Sequence, residues 1–61
     1  MQLPKDPYML LSVVNTQLRD HYASFQALAS AYMADPETLT ATLASIGYQY
    51  EEAHNQFIAT R

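Results

Sequence analysis

Asp20, His21 and Ser24 bring an acid, an imidazole and a hydroxyl into one short stretch, the three groups used in nucleophilic hydrolysis. That chemistry needs the imidazole within hydrogen-bond reach of the hydroxyl, an acid orienting it, and an oxyanion hole in a partly buried cleft. Consecutive residues on a helix diverge, so Asp20 does not orient His21 in that way. Each group has a simpler role: His21 offsets the negative end of a helix dipole, and Ser24 caps the next helix. The chain is therefore not expected to be an enzyme. Zinc would require three or four ligands at suitable spacing. His21 and His54 are far apart, Asp20, Glu51 and Glu52 are their only acidic neighbours, and no cysteine or His-x-x-x-His pair is present. Neither a metal nor a cofactor is expected.

Thr38, Thr40 and Thr42 form a second series of polar groups, and they are the candidate nucleic-acid face. A recognition helix presents Arg, Lys, Asn or Gln to base edges and basic flanks to phosphates. The segment from Pro36 to Ile46 contains no basic residue. Lys5, Arg19 and Arg61 are scattered along the chain and stand against six acids, for a net charge of −3. Because affinity for nucleic acid scales with the phosphates neutralised, DNA is disfavoured as a partner.

The most informative segment is apolar. Tyr8, Met9, Leu10, Leu11, Val13 and Val14 leave only Ser12 polar over two turns. A helix that is apolar on all sides needs cover on all sides. Leu11, Val14, Leu18 and Tyr22 make one stripe, while Met9 and Val13 share a second face with Tyr8 beside them. Either tyrosines from later in the chain cover that face, or a partner does. Small size favours a partner, with a homodimer the simplest form and another protein the other. Asn15 and Arg19, with Asp20 adjacent, read as ordinary polar pairs on a solvated face, with a polar interface contact as the lesser alternative.

Three helices and a hairpin must position these groups. Asp6-Pro7 and Asp35-Pro36 are strong helix starts, since the aspartate caps free N–H groups and proline loses no bond at the first position. Ser24 caps a shorter helix whose face is Phe25, Leu28, Ala29 and Tyr32. Leu39, Leu43 and Ile46 define the third, and the single glycine, Gly47, ends it in a left-handed conformation. The period then changes to two. Tyr48 and Tyr50 flank Gln49, and Phe57 follows Asn55 across Gln56, with a turn at Glu51-Glu52-Ala53-His54. The spacing predicts helices over 7–21, 25–33 and 36–46, then a hairpin over 48–58 whose aromatic face lies on the helices.

Sixty-one residues with 49% hydrophobic and 15% charged side chains make one globular domain, with no disordered or low-complexity tract. A domain of this size buries only about 60% of its unfolded surface. Without cysteine it has no disulfide staple, which points to a reducing compartment or a partner chain. The apolar run Tyr8 to Val14 is well short of the ~20 residues that span a bilayer. Asp6 spoils the basic flank that Lys5 would give a signal peptide. The expected location is cytoplasmic, with the mature chain starting at Met1 and no membrane partner.

Two resemblances follow from particular residues. The segment Leu28 to Leu39, with Leu28-Ala29, Tyr32, Ala34 and Asp35-Pro36-Glu37-Thr38-Leu39, resembles a bacterial helix-turn-helix core. Met33 stands where that core usually has glycine, which implies a turn built differently. Over most of its length the chain also resembles a small bacterial family of unknown function. The carrying residues are Leu3 to Pro7, Leu10 to Asn15, Leu18-Arg19-Asp20, Leu43 to Tyr48, Tyr50 and Asn55-Gln56-Phe57. The second resemblance implies a bacterial cytoplasmic origin and brings no activity with it. The fold class expected is mainly α, a three-helix, helix-turn-helix-like domain followed by a short, wing-like β-hairpin. The expected function is a non-catalytic interaction or regulatory domain that self-associates through Tyr8, Met9 and Val13. The alternative is a winged helix-turn-helix DNA-binding regulator.

Overall fold

The computed structural model describes residues 3–60. Asp6 and Asp35 begin their helices in the same way. Asp6 Oδ1 accepts the Tyr8 N–H at 3.0 Å and Pro7 opens α1 (Pro7–Asp20). Asp35 Oδ1 accepts the Glu37 N–H at 3.1 Å, its Oδ2 accepts the Thr38 hydroxyl at 3.0 Å, and Pro36 opens α3 (Pro36–Ala44). Between them Ser24 Oγ accepts the Ala27 N–H at 3.1 Å and starts α2 (Phe25–Ala31). All three caps fall where the sequence puts them.

The helix ends come earlier than the spacing predicts. α1 stops at Asp20, because the His21 and Tyr22 N–H groups both turn back to the Gln17 carbonyl, at 2.8 and 3.0 Å. α2 stops at Ala31 and not at residue 33. The Ala34 N–H reaches back to Ala29 O at 2.8 Å and the Met33 N–H to Ser30 O at 3.1 Å, with Met33 at φ +54°. This is a Schellman ending with methionine at the position that glycine usually takes. The turn is thus wound as a glycine would wind it, not by a different route. α3 stops at Ala44; Ile46 and Gly47 then donate to Leu43 and Ala44 in a tighter turn, and Gly47 takes φ +82°.

The hairpin follows at once. β1 (Tyr48–Glu51) pairs antiparallel with β2 (Gln56–Ala59), with Tyr48 opposite Ala59 and Tyr50 opposite Phe57. Thr60 extends the pairing, its N–H and Oγ–H donating to Gly47 O at 2.9 and 3.1 Å. Glu51 pairs with Gln56, so the turn spans Glu52 to Asn55, one residue later than expected. Asn55 closes it at φ +51°, a conformation asparagine tolerates better than most residues.

The architecture is mainly helical, three helices followed by a two-stranded antiparallel hairpin, as the sequence predicts. The core comprises Leu10, Val14 and Leu18 of α1, Phe25, Leu28 and Ala29 of α2, Leu39 and Leu43 of α3, and Phe57 of β2. Each of these leucines contributes about 2 kcal/mol by leaving water. Phe25, Tyr50 and Phe57 form an aromatic trio with centroids 4.9 to 5.5 Å apart, which lays the hairpin against α2. Tyr48, Tyr50 and Ile46 pack around the core's edge, so the aromatic side of the hairpin does face the helices.

Candidate functional site

The outer face of α1 is set by its inner one. Leu10, Val14 and Leu18 are buried and Leu11 packs beside them, which turns Tyr8, Met9, Ser12 and Thr16 toward solvent. Tyr8 is 66% exposed and Met9 59% exposed. Val13 is half-buried and lies outside the core cluster. Of the three residues singled out in the sequence, Tyr8 and Met9 are exposed, while Val13 is half-buried and about 140° around the helix from Tyr8. No charged residue occurs between Asp6 and Arg19. The hairpin meets α1 through Phe57 and Asn15, and Asn15 lies at i+7 from Tyr8 and i+3 from Ser12.

The threonines of α3 divide into two groups. Thr38 and Thr42 line a groove of about 530 Å³ with Lys5, Leu10, Tyr32 and Leu39. Thr40 lines another, of about 560 Å³, with Phe25, Pro36 and Ala41. Positions 38 and 40 fall on opposite sides of a helix, so exposure alone did not put them on one face. The Thr38 hydroxyl donates to the cap aspartate, and the Thr42 hydroxyl donates to Thr38 O at 2.9 Å. Both are engaged by the helix itself.

Asp20, His21 and Ser24 do not converge. Asp20 holds both Arg19 Nε and Nη2, at 2.9 and 3.0 Å, and Ser24 is the α2 cap. The bidentate hydrogen bond from Arg19 lowers the Asp20 carboxyl below the usual carboxylate range, and the same bond raises the guanidinium. His54 Nδ1 contacts the Glu51 carboxylate across the hairpin turn. Among the described residues no three His, Asp or Glu side chains gather where they could hold a metal ion, and no helix is long and apolar enough to cross a membrane.

Two asparagines have roles that the sequence did not disclose. Asn15 is not on a solvated face. It is half-buried, its Nδ2 donates to Phe57 O at 3.1 Å, and its Oδ1 accepts the Phe57 N–H at 2.8 Å. Asn55 Nδ2 donates to Leu18 O at 3.1 Å and Tyr22 O at 2.9 Å, closing the end of α1. The Tyr50 hydroxyl donates to Asn55 Oδ1 at 2.6 Å and accepts the Phe25 N–H at 3.4 Å. Asn15 directly follows the apolar run Tyr8 to Val14, a weak signal of such a role. These polar groups knit helix to hairpin and leave no described buried side-chain polar atom without a partner.

No curated protein and no solved structure shows significant similarity to the chain. A family model does match it, over residues 4–57, a span that takes in α1, all of β1, the Asn55 turn and the Asn15–Phe57 link. On that match the chain belongs to the family described as Domain of unknown function (DUF4250).

Proposed function

We propose that this domain is a non-catalytic interaction module that binds protein surfaces through the outer face of α1, at Tyr8, Met9 and Val13. The observation that carries the reading is the pair Tyr8 and Met9, two-thirds and more than half exposed, on a face free of charge from Pro7 to Leu18. Lone exposed apolar side chains are ordinary, but adjacent ones flanked by a third on an uncharged face are the mark of a contact surface. The engagement of Asp20 and Ser24 in an ion pair and a cap supports a role without catalysis. The test is affinity capture from a lysate of the source organism, with and without nuclease, using wild type and Met9→Asp. Protein partners that survive nuclease and are lost with Met9→Asp are expected. Identical capture by the variant, or capture that nuclease abolishes, would remove the proposal.

A DNA-binding regulator is the second reading, and Met33 favours it. The left-handed φ of Met33 between α2 and α3 reproduces the backbone that a helix-turn-helix turn requires. Against it stand an α3 without Lys or Arg and two threonine hydroxyls engaged within the helix. Fluorescence anisotropy with random duplex DNA at physiological salt is expected to show no binding. Salt-sensitive binding in the micromolar range would reverse the ranking.

A further inference from the structure

We propose that two copies of this chain pair edge to edge through β1, as antiparallel neighbours about a two-fold axis at Gln49. The inference does not use the α1 face; it comes from the direction of the backbone groups in the hairpin. In an antiparallel ladder, alternate residues turn their N–H and C=O toward the partner strand and away from it. Phe57 gives both of its groups to the Asn15 carboxamide, so the groups of Tyr50, opposite it, also point away from β2. The Gly47 carbonyl turns inward to the Thr60 N–H, which fixes the same phase and points Tyr48 outward as well. The outer edge of β1 thus carries the N–H and C=O groups of Tyr48 and Tyr50 with no hydrogen-bond partner among the described residues. Backbone groups without a protein partner are rarely buried, so this edge faces water.

The two edges of the hairpin differ. On β2 the Asn15 amide stands in for a strand at Phe57, and Ala59, the last residue, keeps the remaining outward groups unpaired among the described residues. On β1 nothing stands in. A row of outward donors and acceptors takes one kind of occupant, an extended backbone, and β1 is itself such a strand. In an antiparallel pair centred on Gln49, Tyr48 of each copy exchanges both of its bonds with Tyr50 of the other, so every open group is satisfied. A shift of two residues leaves a single reciprocal pair, and a shift of one sets outward groups against inward ones. The same register suits the side chains. Tyr48 of each copy falls opposite Tyr50 of the other, and cross-strand aromatic pairs stabilise a sheet. Glu51 falls opposite Gly47, so the acids do not meet. With β2 largely closed by Asn15, pairing stops at two copies, as a closed isologous dimer.

Hydrogen exchange reads this edge directly. The Tyr48 and Tyr50 amides should exchange fast in dilute protein and slowly at millimolar concentration, while the Ile58 amide, paired with Gln49 inside the hairpin, should not change. The chain has no cysteine and Gln49 is exposed, so a single cysteine reports the register. Two Gln49→Cys copies meet at a non-hydrogen-bonded position with Cα atoms about 4.5 Å apart, within disulfide range, and mild oxidation with diamide should link them. Two Gln56→Cys copies, separated by three strand spacings or about 14 Å sideways alone, should not link. Chemical synthesis of the chain with an N-methyl group on the Tyr48 amide removes half of the bonds without altering a side chain. Sedimentation should then show a dimer at least tenfold weaker than that of wild type, with circular dichroism unchanged. Met9→Asp should leave the dimer intact. A wild-type mass of one chain at millimolar concentration, with the Tyr48 and Tyr50 amides still exchanging fast, would overturn the proposal. So would a dimer that Gln49→Cys fails to link, or one that Met9→Asp dissociates. The last result would move self-association to the α1 face and leave the interaction reading standing.

Discussion

The Asn15 carboxamide stands toward Phe57 as a neighbouring strand would. It gives a donor to the Phe57 carbonyl at 3.1 Å and an acceptor to the Phe57 N–H at 2.8 Å. Those two backbone groups face away from β1, so without Asn15 the outer edge of β2 has no partner at the point where Phe57 enters the core. Asn15→Ala should lower unfolding stability by about 2 kcal/mol, the cost of orphaning half-buried backbone groups. Urea titration measures it, and a variant as stable as wild type would mean that the link carries no weight.

The Tyr50–Asn55 contact separates hydrogen bonding from backbone conformation. Tyr50→Phe keeps the aromatic trio and removes the hydroxyl that serves both Asn55 and Phe25, for a loss of about 1–2 kcal/mol. Asn55→Ala loses the bonds to Leu18, Tyr22 and Tyr50 and also pays the left-handed backbone penalty. Asn55→Gly loses the same bonds without that penalty, so it should be the more stable of the two by about 1 kcal/mol. Equal stabilities would mean that φ at this position is free to relax.

Met33 is 94% exposed and left-handed, so glycine there sacrifices little packing and removes Cβ strain. Met33→Gly should stabilise the domain by about 0.5–1 kcal/mol, which raises the melting temperature by several degrees in a chain of this size. Met33→Ala retains the Cβ and should be close to neutral. Thermal melts of the three proteins decide the matter, and a destabilised glycine variant would show that the methionine side chain makes a contact worth keeping.

The Asp20 carboxyl should titrate below the ordinary carboxylate range, because Arg19 donates to both of its oxygens. A depressed carboxyl favours the folded state above the unfolded value of about 4, and this contribution is lost as pH falls through the lower folded value. Arg19→Gln should return Asp20 toward the ordinary range. Carbonyl ¹³C shifts followed against pH will show the change; superimposable Asp20 curves in the two proteins would contradict it.

The helices were legible because their signals are local. Asp6-Pro7, Ser24 and Asp35-Pro36 act within three residues, and the structure uses each as a cap. Helix ends were less legible, since Asp20, Ala31 and Ala44 are followed by residues that continue as tight turns before the chain departs. The hairpin followed from the period, but its turn slipped by one residue because Glu51 carries no feature that distinguishes strand from turn. The distant partners of Asn15 and Asn55 were not legible. They lie 33 to 42 positions away, and no periodicity encodes a bond of that span. Thr38, Thr40 and Thr42 looked alike by composition and were separated only by helix phase.

The Asn55 cap also has a consequence for synthesis. The last turn of α1 is made before the amide that satisfies the Leu18 and Tyr22 carbonyls, which comes 37 and 33 residues later. Asn15 likewise waits for Phe57, 42 residues on. A nascent chain that has not yet emerged past Phe57 holds a first helix with open carbonyls and an uncovered flank, and short helices without tertiary support are marginal in water. The second half of α1 is thus completed by bonds to the hairpin, and a cut in the chain before Asn55 removes the partners of Asn15, Leu18 and Tyr22 together.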